Sequence, residues 1–110
     1  MRMKCVRVDA MSEDNLADAE FMALADAFVA LANARSGEAG SVKVGAAMLF
    51  AATRFNACLV ASRTRDVEEL KSDRTIALQH FSEQHSAMLT ENLNDYENNY
   101  ASYIAQTRKV

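Results

Sequence analysis

Ser41-Val42-Lys43-Val44-Gly45-Ala46-Ala47-Met48-Leu49-Phe50-Ala51-Ala52-Thr53-Arg54-Phe55-Asn56-Ala57-Cys58-Leu59-Val60-Ala61-Ser62 is apolar along two separate lines. One seam runs Val44, Met48, Ala51, Phe55, Cys58 or Leu59, and Ser62. The other runs Val42, Ala46, Leu49, Thr53, Asn56 and Val60. Both alternate steps of four and three residues, the spacing at which one helix packs on another. A helix that is apolar on two sides is covered on two sides. The stretch therefore reads as a helix over 41–62 that is central to a bundle or faces a partner.

Outward from it, Ser36-Gly37-Glu38-Ala39-Gly40-Ser41 is the clearest punctuation in the chain. Glycine and serine there are helix stop and cap residues, with Gly37 as the stop and Ser41 as the next N-cap. A helix over about 14–35 precedes it. Ser12, Asp14 or Asn15 could cap its start, where acids suit the helix dipole. Its stripe is Ala17, Phe21, Leu24, Ala25, Phe28, Leu31 and Ala32.

A third helix is expected over about 66–106. Asp66-Val67-Glu68-Glu69 resembles a capping box with aspartate as the cap. Val67, Leu70, Ala77, Leu78, Phe81, Met88, Leu89, Leu93, Tyr96, Tyr100 and Tyr103 keep to one half of the cylinder. Unbroken, it is about 60 Å long and about twice the length of the others. A break at Asn92–Asn94 or Asn98–Asn99 would shorten it. The fold class expected is all-α, an antiparallel three-helix bundle with a long third helix, assembling into a dimer. Residues 12–110 form one helical domain in this reading. Residues 1–11 form an N-terminal arm, disordered or preceding a true start at Met11.

Bulk composition agrees. The chain has 110 residues, 50% hydrophobic and 25% charged, with 20 alanines, three glycines and no proline or tryptophan. That excludes collagen, disulfide scaffolds and turn-rich β-sandwiches. The net charge of −3 does not point to nucleic acid. Charge is segregated: Asp9–Asp26 holds only acids, Ser41–Arg65 only the bases Lys43, Arg54, Arg63 and Arg65, and Asp66–Glu97 eight acids against two bases. Complementarity within one chain explains this more simply than a nucleic-acid groove does. Cys5 and Cys58 stand in no metal spacing and read as two free thiols in a reducing compartment. No secretory h-region is visible, and the apolar run Val44–Ala52 is about half of the ~20 residues a membrane span needs. A cytoplasmic protein that engages no membrane is expected.

Catalysis finds no support in the residues. A di-iron bundle needs Glu-x-x-His motifs, and neither His80 nor His85 follows a glutamate by three. Cys58 has no histidine or acid in its own helix, and the glycines make no phosphate loop. No metal, cofactor or catalytic residue is expected. The candidate residues belong instead to an interface or a polar network. Asn56 lies in the second seam, where one asparagine can fix register, with Arg54 nearby. Arg74, His85 and Asn92 share the stripe of the third helix, and buried polar groups need partners. Tyr96, Tyr100 and Tyr103 recur at helical spacing, and tyrosine is enriched in interface cores.

Some words of the sequence are familiar. Phe21-Met22-Ala23-Leu24-Ala25-Asp26-Ala27-Phe28-Val29-Ala30-Leu31-Ala32-Asn33, Ala51-Ala52-Thr53-Arg54-Phe55-Asn56-Ala57 and Met88-Leu89-Thr90-Glu91-Asn92-Leu93-Asn94-Asp95-Tyr96 together resemble a short proteobacterial Domain of Unknown Function family of the DUF3144 type. The likeness covers roughly residues 16–100. It implies a small all-helical bacterial protein with no assigned activity, and it transfers no catalytic residue. Cys58 departs from the pattern, which places an aromatic there.

The function expected is that of a non-enzymatic helical interaction or adaptor protein that associates with itself. Another bacterial protein is the second candidate partner. A bundle binding a small ligand or effector is the alternative, and a nucleic-acid-associated protein comes after it.

Overall fold

The computed structural model describes residues 18–108, with side chains as far as residue 105. The N-terminal arm, Met11, Cys5, Ala17 and the caps expected at Ser12, Asp14 or Asn15 lie outside the described residues. Four helices follow one another: α1 (Ala19–Ala39), α2 (Ser41–Ser62), α3 (Val67–Asn98) and α4 (Tyr100–Arg108). Among the described residues there is no strand, so the chain is all-α. It divides into two units, Met1–Arg65 and Asp66–Val110.

In the first unit, Asp18 caps α1. Its side chain accepts a hydrogen bond from the Phe21 backbone N–H at 2.7 Å, satisfying a donor that the first turn leaves free. The helix does not stop at Gly37. It runs on to Ala39 and ends at Gly40, whose φ of 89° lies where a Cβ clashes with the backbone. Gly40 is also the N-cap of α2, with no side-chain cap bond, so Ser41 is the first helical residue rather than the cap. One glycine at a positive φ thus turns the chain between two helices. Gly37 keeps helical geometry, so nothing forces a stop there.

α1 and α2 pack on one another. The covered positions on α1 are Phe21, Ala25, Ala32 and Ser36, and on α2 they include Val44, Ala51, Cys58 and Leu59. Leu59 is the buried residue of this contact, 9% exposed. Small residues dominate the pairing and permit close approach, but they bury little area. Leu24, Phe28 and Leu31 of the expected α1 stripe remain exposed. Cys58 is disulfide-bonded, with its partner outside the described residues. This corrects the expectation of two free thiols. Sequence separation carried that expectation, and it sets no limit on the Cα–Cα distance a disulfide requires.

α2 is long and apolar enough to cross a membrane by length and composition, with a mean hydropathy of 1.5 over its best window. Its 22 residues span about 33 Å.

In the second unit, Asp66 caps α3 by accepting from the Glu69 N–H at 2.9 Å. Of the readings open for the third helix, the break at Asn98–Asn99 is the one found, so the stretch toward Gln106 is two helices. Asn92–Asn94 stays helical and the break falls at Asn99, with φ −123° and ψ 29°. α3 keeps 32 residues, about 48 Å.

Candidate functional site

Asn92 and Asn99 begin alike, yet only Asn99 breaks the helix. The Asn92 amide donates to the Met88 carbonyl at 2.9 Å, one turn back. The Asn99 amide donates to the Asp95 carbonyl at 3.1 Å and to the Asp95 carboxylate at 2.9 Å. What differs lies beyond it. The Tyr103 hydroxyl donates to the other Asp95 oxygen at 2.8 Å. The Tyr103 ring also stacks on Tyr96, with centroids 4.3 Å apart and planes at 25°. Seven residues of straight helix rise about 10 Å. The bend at Asn99 shortens that path and lets rings about two turns apart meet.

The result is a clasp. Asp95 accepts from Asn99 and Tyr103 at once, and Tyr103 covers one face of Tyr96. Hydrogen bonding to Asp95, first, and the nearness of its negative charge, second, raise the Tyr103 phenol above the ordinary value of 10.0; burial and Tyr96 add to the shift. Losing the proton would destroy the bond and set two anions side by side. Of the three tyrosines expected to act together, the structure joins Tyr96 and Tyr103. Tyr100 takes no part in the stacked pair and is 58% exposed. Asp95 and Asn99 were missed in the sequence. Their signal was the i, i+4, i+8 spacing of Asp95, Asn99 and Tyr103 along neighbouring faces of a helix.

The remaining residues lie as follows. Arg74, His85 and Asn92 are exposed on α3, and among the described residues no hydrogen bond joins one to another. His80 is exposed, with its ring edge-on to Phe81 at 5.1 Å. On α2, Arg54 is exposed and Asn56 is half-buried. Thr53 on the same seam satisfies its hydroxyl on the Phe50 carbonyl at 2.8 Å. The first α2 seam is covered at Val44, Ala51, Cys58 and Leu59 and open at Met48 and Phe55, while the second is half-buried at Asn56 and Val60. The second stays open at Val42, 90% exposed, and at Leu49. No cluster of three metal-ligating side chains occurs among the described residues.

These features define a class: an all-α chain whose helices carry more apolar surface than they cover. Within that class its sequence places it in a family. The chain belongs to the family described as protein of unknown function DUF3144, whose model matches residues 21–97. No curated protein and no solved structure matches it.

Proposed function

We propose that this protein is a non-enzymatic helical interaction module that associates with itself. One observation carries the reading. Among the described residues Leu59 alone is a buried hydrophobic, while Leu24, Phe28 and Leu31 on α1, Leu49 and Phe50 on α2, and Leu78, Leu89 and Leu93 on α3 remain exposed. A domain forms around a hydrophobic core made by packing one layer on another, and apolar patches this extensive mark contact surfaces. The cover comes from helix packing within an antiparallel three-helix bundle and from a second copy in a homodimer. The bases of α2 and the acids of α3 support the bundle, since opposite charges guide which helix packs where.

A cytoplasmic setting goes with this reading despite the length of α2. Arg54 and Asn56 sit on that helix, and an arginine near the bilayer centre costs roughly 2.5–3.5 kcal/mol even on lenient scales. A protein partner covers the same surface with no such penalty.

Sedimentation equilibrium of the full chain, from low micromolar to near-millimolar, tests the proposal. A mass rising toward twice the monomer is expected. A monomer throughout the range would end the self-association reading. Recovery of the chain in the membrane fraction of its host would end the cytoplasmic one.

A further inference from the structure

Cys58 is disulfide-bonded. The chain has two cysteines, so Cys5 is the residue left to pair with it. The bond closes a loop of chain that contains the whole of α1 and most of α2. Val44, Ala51 and Cys58 recur every seven residues along the covered side of α2, and Cys58 is half-buried next to buried Leu59. Gly40, where the chain turns, stands midway in sequence between Met22 and Cys58. The hairpin is thus tied at one end by the backbone at Gly40 and toward the other, at Cys58, by sulfur.

Little else holds it shut. Leu59 is the buried hydrophobic among the described residues of α1 and α2, and the positions facing it across the contact are mostly alanines and serine, only half-covered. So small a burial gives the closed hairpin a weak bias over the open one. A cross-link removes extended arrangements from the open ensemble, and here it decides the balance. Closed and open hairpins are two states of one element, and the bond is what biases them.

The bond is also accessible to exchange. Cys58 is half-buried rather than enclosed. Arg54 lies one turn before it, and α2 carries no acid to repel an incoming thiolate. Thiol–disulfide exchange requires that access, and a positive charge nearby attracts the attacking anion. Disulfides of cytoplasmic proteins are as a rule transient and redox-sensing, because that compartment keeps thiols reduced.

Resting on the cytoplasmic setting proposed above, we infer that the Cys5–Cys58 disulfide is a redox switch on the α1–α2 hairpin, which is closed when oxidised and opens when a cellular dithiol reduces it. One thiolate of the dithiol attacks a sulfur of the bond. The S–S bond breaks, a mixed disulfide forms, and the departing cysteine thiolate takes up a proton. The second thiol of the reagent then displaces the other cysteine. The dithiol leaves as a disulfide, and the chain has gained two electrons and two protons. Opening uncovers Phe21, Val44 and Leu59 and adds them to the exposed apolar surface.

Three measurements on the full chain test the switch, with dithiothreitol as the dithiol. Alkylation read by intact mass should add no label before reduction and two labels after it. Two labels without reductant, an unreduced mass of twice the chain, or a native chain that begins at Met11 and so lacks Cys5 each overturns it. Equilibration in glutathione buffers should give a reversible transition within cytoplasmic ratios of the reduced to the oxidised form. A bond that survives a large excess of reduced glutathione is a permanent staple and overturns it. Hydrogen exchange should become at least tenfold faster in α1 and α2 on reduction and stay unchanged in α3. Equal rates overturn it, and so does acceleration in every helix, which is loss of the whole fold. Cys5→Ser, outside the described helices, should show the fast pattern with or without dithiothreitol, and a slow pattern there overturns it. The cytoplasmic setting fails by a separate readout, the membrane fraction, on which none of these depends.

Discussion

In the first unit α1 and α2 meet through small apolar positions, Ala25 and Ala32 opposite a helix bearing Val44, Ala51 and buried Leu59. In the second, α3 and α4 meet through a carboxylate, an amide and two phenol rings. The first contact joins segments distant in sequence and depends on excluding water. The second joins neighbours and depends on direction. Non-directional burial tolerates sliding and exchange of partners, whereas a bidentate clasp fixes one geometry. The helix pair that carries the larger open apolar surface is thus the one least committed to its own packing, while the tyrosine face is rigid before anything binds it.

Substitutions sharpen that comparison. Leu59→Ala acts on the one buried side chain of the hairpin. It should lower stability by about 2 kcal/mol, the low end for a buried leucine, read as a fall in the midpoint of thermal unfolding. An unchanged midpoint would show that the hairpin does not depend on burial at all. Gly40→Ala forces a Cβ into a φ of 89° and should cost roughly 1–2 kcal/mol through backbone strain, although nothing lies within 4 Å of the added atom.

On the other side of the comparison, Asp66→Ala removes the α3 cap and should cost about 1 kcal/mol, measured by denaturant unfolding. Gly45→Ala has the opposite sign. It sits inside α2 with open space around it and should stabilise by about 0.5–1 kcal/mol.

Tyr103→Phe is the smallest change. Losing one hydrogen bond of the clasp should lower stability only slightly. Its clearer readout is spectroscopic. In the wild type an absorbance titration should show a late tyrosine step from the raised Tyr103 phenol, and in the variant that late step should vanish. The sign follows from the raised phenol. The clasp's contribution is fully present below the ordinary value of 10.0 and is lost as pH climbs through the higher folded value. A titration with no late step would mean that the clasp does not form in solution.

Much of the local structure was legible. Asp66 announced the α3 cap because an acid followed by glutamate three positions on is a local signal. The boundaries of α2 stood out because serine and glycine bracket it. The end of α1 was misplaced from Gly40 to Gly37 because both are glycines in the same small-residue cluster. Only the backbone angle tells which one turns. The candidate polar set on α3 was harder to judge. Arg74, His85 and Asn92 share a stripe, but periodicity gives a side chain's direction and says nothing about whether another element lies there.

The amino-acid sequence by itself determined that the chain is helical, where α2 and α3 begin, and that the α2 and α3 seams have packing periodicity. These follow from hydrogen bonds and side-chain spacing within a few residues. Only the tertiary structure decided that Leu59 is the buried residue of α2, that Asn99 rather than Asn92 ends α3, and that Asp95 gathers Asn99 and Tyr103. Such outcomes depend on distances across a bend or between helices, where several arrangements satisfy the same local rules and packing selects among them.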